Sequence, residues 1–243
     1  MKGDPPLGKV YLVGAGPGDP RLITVRGIEC LRLADLVLFD YLVNPELLEH
    51  APSAAERVCL EHHGSSQAVS AEGVSRRMVE EARRGRTVVR LKSGDPAVFG
   101  RLAEEVALLR AAAIPLEIVP GVTAGLAAAA CAEIPVTQGW RSSAVALVTG
   151  HERSDKALPA LDFAALAAFP GTLILYMGVS TAAQWSAALV REGKPPATPV
   201  AIVRRCSWPD EEMVRCTLGE VAEVIATRGV RPPAVILVGE VVA

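Results

Sequence analysis

The chain has 243 residues, half of them hydrophobic but only 4% aromatic, so Ala, Val and Leu must build any core. Its formal net charge of −2 argues against nucleic-acid backbone binding as the main activity and leaves room for a local cluster of cations on a small anionic ligand. The five cysteines (Cys30, Cys59, Cys131, Cys206, Cys216) are scattered and never spaced as CxxC, which points to reduced thiols in a cytoplasmic protein and to no metal site.

The opening MKGDPPLGKV carries no long apolar run, so it does not read as a secretory signal. Other apolar stretches are broken by Gly, Pro or charge before about 18 residues, and no membrane association is expected. From there, short β-branched runs alternate with helical patterns. Val10–Val13 reads as a strand, Leu22–Leu33 as the helix behind it, and Leu36–Phe39 as a second strand ending in Asp40. A helix over about Ala71–Arg84 stops at Gly85, before a strand at Thr87–Leu91. A helix at Leu102–Ala113 and a strand at Leu116–Val119 complete the first half.

The second half begins with a small-residue helix, Ala124–Ala132. Strands are expected at Ala144–Thr149, Thr172–Met177, Val200–Arg204 and Ala234–Val238, with helices at about Phe163–Ala168, Thr181–Arg191 and Leu218–Thr227. The segment Glu211–Thr217 alternates and can pair antiparallel. The expected architecture is therefore α/β, with two α/β domains of similar size, 1–119 and 120–243, and mixed, mostly parallel sheets.

Two glycine-rich loops stand out. Gly14-Ala-Gly16-Pro-Gly18-Asp19-Pro20 follows the first strand, where a dinucleotide-binding turn is the obvious reading, strengthened by Asp40 at the end of the second strand. Asp19 occupies the place of that fingerprint's third glycine, and Pro17 removes an amide and fixes φ inside the turn. The second loop, Arg90-Leu-Lys-Ser-Gly-Asp-Pro-Ala-Val-Phe-Gly100-Arg101, sits at the carboxyl end of a strand, where ligands of open α/β sheets bind. There Gly94 permits close backbone approach, and Asp95 can accept hydrogen bonds from an ammonium or a ribose hydroxyl.

With Pro120-Gly121-Val-Thr123 and Arg231-Pro-Pro-Ala234, these loops form a set. The stretches VYLVGAGPGDPRLIT, ADLVLFDYLVNPELL, VVRLKSGDPAVFGR, VPGVTAGLAAAACAEIPVT, LVTGHE, LILYMGV and RPPAVILVGEVV cover nearly the whole chain in order. The sequence resembles the tetrapyrrole methylases, and among them the uroporphyrinogen-III C-methyltransferases. The resemblance implies a homodimer with S-adenosylmethionine bound in a cleft between the domains and released as S-adenosylhomocysteine. It also implies a tetrapyrrole substrate, uroporphyrinogen III, methylated at C2 and C7 to give precorrin-2 for cobalamin or sirohaem.

Carried over by position, the donor site comprises Pro17, Ser93, Gly94, Asp95, Val98, Thr123, Ala124, Met177, Cys206 and Ala234. The resemblance makes Asp40 the catalytic base and expects a lysine where His62 stands, so His62 is the second catalytic candidate, since imidazole exchanges protons near neutral pH. Several expected cations are replaced: Tyr41 follows Asp40, His63 follows His62, and Gln138-Gly139 follows Ile134-Pro-Val-Thr137. Arg101 and Arg141, with Arg204 and Arg205, are the candidates to hold substrate carboxylates instead. A methylase for a later corrin intermediate or another anionic acceptor is the alternative within the class. A dinucleotide-binding or non-catalytic partner protein is the alternative outside it.

Overall fold

A computed structural model describes residues 6–60, 71–151 and 161–243. The chain divides into two units, Met1–Thr123 and Ala124–Ala243. The division falls a few residues beyond the Pro120-Gly121 position read from the sequence.

In the first unit the elements run β1 (Val10–Gly14), α1 (Val25–Arg32), β2 (Leu36–Phe39), β3 (Glu56–Cys59), α2 (Ala71–Arg83), β4 (Val88–Lys92), α3 (Leu102–Ala111) and β5 (Leu116–Val119). The five strands form one sheet in the order β3-β2-β4-β1-β5, and every pairing is parallel. Parallel pairing requires crossovers that cover both faces, so the central strands β1, β2 and β4 are buried on both sides. Tyr11, Val13, Val37, Val89 and Leu91 pack with Cys30 and Leu31 of α1. Val10, Leu12, Leu36, Leu38 and Val88 pack with Val74, Met78 and Ala82 of α2 and Leu109 of α3. Each fully buried Leu or Met is worth about 1.5–3 kcal/mol relative to exposure.

This arrangement also creates an opening. The helix after β1 and the helix after β4 lie on opposite faces although β1 and β4 are neighbours, which separates the loops leaving their carboxyl ends.

The first helix differs from expectation. Asp19 caps a 3-10 turn, Pro20–Leu22, accepting a hydrogen bond from the Arg21 amide at 2.9 Å, and α1 starts only at Val25, capped by Thr24. No α-helix N-terminus therefore abuts Gly14–Gly18, only a single 3-10 turn whose cap is already filled by Asp19, and the pyrophosphate site of a dinucleotide fold is not built here. Strand β3 was not expected either. It lies at the sheet edge, where Glu56 pairs with Arg77 and Arg86.

The second unit contains α4 (Ala124–Cys131), β6 (Val145–Thr149), α5 (Phe163–Ala168), β7 (Thr172–Tyr176), α6 (Ala182–Arg191), β8 (Pro199–Arg204), β9 (Glu212–Thr217), α7 (Val221–Arg228) and β10 (Ala234–Val238). Its sheet order is β6-β7-β10-β8-β9. Only β6 and β7 are parallel, while β10 runs antiparallel to both β7 and β8, and β9 antiparallel to β8. The antiparallel β9 follows the alternation of its sequence. The reversal of β10 is a long-range choice that no local pattern records. Helices α5, α6 and α7 cover one face through Ala167, Trp185, Leu189 and Ile225. Among the described residues, no helix is long and apolar enough to cross a membrane.

On the outer side of the first sheet, Glu117 of β5 accepts hydrogen bonds from Arg26 at 2.8 Å and Lys9 at 2.6 Å, with Lys9 over the Tyr11 ring. The Arg26 hydrogen bond, then that of Lys9, holds Glu117 down to about 2. Because the folded value lies below the unfolded one, this stabilisation is present at neutral pH and is lost as pH falls from the ordinary carboxylate range through about 2. Partial exposure of all three side chains keeps it modest. The difference in urea midpoint between the parent and Glu117→Gln is expected to be largest at pH 7 and to close on acidification.

Candidate active site

At the carboxyl edge of the first sheet three backbones meet. Gly16 and Gly94 exchange hydrogen bonds, at 3.2 Å from the Gly16 amide and 2.8 Å from the Gly94 amide. A Cβ on Gly14 would lie 2.6 Å from Gly121 Cα and 2.7 Å from the Gly94 carbonyl, and one on Gly121 would lie 2.3 Å from that carbonyl. Only glycine lets main chain lie against main chain this closely.

Asp95 braces the same junction. Its carboxylate accepts from the Gly121 amide at 2.9 Å and the Ala97 amide at 2.7 Å. Sequence reasoning offered this carboxylate to a ligand ammonium or ribose. Both oxygens are engaged by main-chain amides, so Asp95 shapes the loop while each oxygen keeps a further lone pair for such a group. Pro17, Ser93, Gly94, Val98 and Thr123 gather on this edge with it, at or beyond the ends of β1, β4 and β5.

Asp40, just past β2, belongs to the same edge. One carboxylate oxygen accepts from Arg90 Nη2 at 2.5 Å, and the other from the Ser93 amide at 3.2 Å. Arg90 Nε reaches Glu105 of α3 at 3.2 Å, and Lys92 Nζ reaches both oxygens of Glu105 at 2.8 and 2.9 Å. Burial first, then the neighbouring Arg90 guanidinium, pushes the Lys92 ammonium below its ordinary range, while Glu105 acts in the opposite sense.

Sequence reasoning had treated Arg90 and Lys92 only as part of a loop motif and passed over Glu105. A signal was present: charges at alternate positions of an otherwise apolar central strand must share one buried face and need a partner.

The second unit gathers its own candidates at one sheet edge. Tyr176 at the end of β7 pairs with Val235, next to Ala234, and Ala234 pairs with Arg204 at the end of β8. Met177 follows β7 with φ +55 and is half exposed. Its neighbours are fixed: the Gly150 amide donates to the Tyr176 carbonyl at 2.7 Å, and Trp185 Nε1 donates to the Gly178 carbonyl at 2.9 Å. The Gly125 amide donates to the Tyr176 hydroxyl at 2.8 Å, and Cys206 Sγ to the Ala124 carbonyl at 3.7 Å. These bonds draw the start of α4 to the same edge. Burial pushes the Cys206 thiol up to about 12, so it stays protonated and serves as a small apolar wall.

The four arginines fare differently. Arg101 is exposed, with φ +52, as the cap residue of α3. Arg204 and Arg205 pair with Asp210, and Arg205 also stacks over Trp208. Arg141 lies before β6 and donates to the Glu240 carbonyl at 3.1 Å, beyond the end of β10. That places it at the opposite sheet edge from Met177, Cys206 and Ala234, so the second unit does not bring it together with them. His62 and His63 lie outside the described residues.

Within the first unit, main-chain amides and carbonyls at the glycine junction offer hydrogen-bonding groups to a polar ligand; within the second, Met177, Cys206 and Ala234 offer small apolar walls. A carboxylate held beside a glycine loop at the carboxyl edge of a parallel sheet occupies the ligand-binding position of an open α/β fold. The tetrapyrrole (corrin/porphyrin) methylase family matches residues 9–222. The siroheme synthase of Zymomonas mobilis is 41% identical over 240 residues, which cover 99% of this chain and 50% of that protein. The chain thus spans about half the length of that relative. A uroporphyrinogen-III C-methyltransferase of Priestia megaterium is 42% identical over 236 residues, covering 97% of this chain and 99% of the relative. A crystal structure of the Thermus thermophilus uroporphyrin-III C-methyltransferase, complexed with S-adenosylhomocysteine, superposes with a TM-score of 0.81 at 39% identity, covering 97% of this chain and 93% of that one. The chain belongs to the tetrapyrrole methylase family.

Gly121→Ala places a methyl group against the Gly94 carbonyl. It is expected to cost roughly 1–3 kcal/mol of stability in urea unfolding, and to do so without removing any hydrogen-bonding side chain.

Proposed function

We propose that this chain is an S-adenosylmethionine-dependent methyltransferase that methylates uroporphyrinogen III at C2 and C7 to give precorrin-2, on the route to cobalamin or sirohaem. One observation carries the reading: Asp40 accepts a hydrogen bond from the Ser93 amide, so the proton acceptor touches the glycine loop assigned to the methyl donor. The names of the relatives support the donor and the acceptor alike.

Pro17, Ser93, Gly94, Val98 and Thr123 in the first unit, and Ala124, Met177, Cys206 and Ala234 in the second, would hold S-adenosylmethionine, with Asp95 bracing its loop. When bound, the donor supplies an electrophilic methyl group on a sulfonium sulfur. Positioning a pyrrole carbon against that methyl group can contribute roughly 7–11 kcal/mol. Asp40 accepts the proton that the macrocycle sheds after alkylation, while Arg90 and the Ser93 amide hold its two oxygens in place. Arg101, exposed and unpaired among the described residues, is the cation best placed to meet a substrate carboxylate. His62 is retained as a second acid–base candidate on sequence grounds.

The enzyme is proposed to act in the cytoplasm as a homodimer. An open depression of about 500 Å³, lined by Ala97, Phe99, Leu102, Val106 and Ile118 and also by the charged Arg101 and Glu104, is the surface proposed to meet the second copy at its apolar end, around Val106 and Ile118. Ile118→Asp is expected to raise the monomer fraction in light scattering.

Incubation with S-adenosylmethionine and uroporphyrinogen III should yield mass gains of one and two methyl groups. Calorimetry should detect S-adenosylhomocysteine but not NAD. No S-adenosylhomocysteine binding would refute the methylase reading; binding without methylation of uroporphyrinogen III would assign the chain to a later corrin intermediate or to a non-catalytic partner role. Asp40→Asn is expected to lower kcat by about 10²–10⁴-fold.

A further inference from the structure

The charges behind Asp40 form a closed, neutral set of two cations and two anions. Arg90 and Lys92 project from the same face of β4, and both end on Glu105 in the first turn of α3. The side chains of Arg90, Lys92 and Glu105 are 8%, 4% and 8% exposed, against 21% for Asp40, so the set runs from the interior to the crevice.

Its inner end reaches a second candidate. A Cβ on Gly100 would lie 3.2 Å from Lys92 Cε and 2.4 Å from the Pro96 carbonyl, so the lysine stem runs directly beneath the turn leading to α3. That turn is strained, with φ +54 at Phe99 and +52 at Arg101, and Arg101 makes no side-chain cap to α3. A left-handed, uncapped helix start persists only when its surroundings fix it, and the Lys92–Glu105 pair supplies that fixation from below.

Stability alone is a poor reason to keep such a set. Buried ion pairs are frequently no more stabilising than apolar side chains of the same volume. Each of these charges, however, leads within one or two contacts to a group that would face the substrate.

We infer that Glu105 is a positioning residue for methyl transfer: through Arg90 it aims the Asp40 carboxylate, and through Lys92 it fixes the left-handed turn that presents Arg101. The inference rests on Asp40 being the proton acceptor. Glu105 itself meets neither donor nor acceptor.

The test compares Lys92→Met/Glu105→Leu, Glu105→Gln and Asp40→Asn with the parent enzyme, by thermal unfolding, calorimetry with S-adenosylhomocysteine, and steady-state kinetics on uroporphyrinogen III. The double variant is expected to keep its thermal midpoint within about 5 °C and its S-adenosylhomocysteine affinity within about threefold. Its kcat should fall by about 100-fold, the scale of a small misplacement of reacting groups. Glu105→Gln, which still accepts from Arg90, should recover part of that loss, and it decides the matter on the same readings if the double variant does not fold. Turnover within about threefold of the parent overturns the inference, and so does a kcat loss matched by an equal loss of S-adenosylhomocysteine affinity. If Asp40→Asn loses turnover while the Glu105 variants keep it, only the positioning role fails. If Asp40→Asn keeps turnover, the proton-acceptor reading fails and this inference with it.

Discussion

The first unit depends on a contact between backbones. Gly14 and Gly121 lie so close to one another and to the Gly94 carbonyl that a single methyl group on either would overlap a neighbour. Three loops leaving three parallel strands are thereby locked at one point, with the Gly16–Gly94 pair and the Asp95 carboxylate holding the junction from either side. With no side chains in the way, main-chain polar groups form the surface there. The same junction sets where Ser93 lies, and hence which amide Asp40 can accept from.

The second unit fixes its edge by other means. Its loops are tied by side chains that bond to main chain: the Tyr176 hydroxyl to Gly125, the Trp185 indole to Gly178, and the Thr181 hydroxyl to the Gly150 carbonyl. These bonds hold the neighbours of Met177 while leaving Met177 itself exposed in a left-handed conformation. In an aromatic-poor chain, two of its few Tyr and Trp residues are thus committed to loop geometry as well as to core.

Much of this was legible beforehand, for identifiable reasons. Strands such as Leu36–Phe39 and Ala234–Val238 are short apolar runs with turn residues at both ends, and Leu116–Val119 is set off by prolines on either side, so their bounds follow directly. Strand β3 is half exposed, with charges at Glu56 and Arg57, so it lacked that signature. The start of α1 at Val25, where Leu22 was expected, was hidden because Leu22 and Ile23 run into the helix's apolar spacing on the far side of its Thr24 cap. Among the site residues, the gathering of Met177, Cys206 and Ala234 followed from the motifs, whereas the placement of Arg141 depends on which sheet edge β6 begins at. The engagement of Asp95 by amides, and of Asp40 by Arg90, are pairings across 26 and 50 residues that no local pattern encodes.

The outermost strands carry a consequence of their own. Strand β3 bears Glu56 and Arg57, with Arg57 donating to the carbonyls of Leu48, Ala51, Pro52 and Ala55. Strand β9 bears Glu212 and Arg215. An open sheet ends in a row of unpaired amides and carbonyls that a neighbouring molecule could extend, strand upon strand, into a fibre. Charges at these two margins make such docking electrostatically costly, and so guard one edge of each sheet in a chain rich in Val, Ala and Leu.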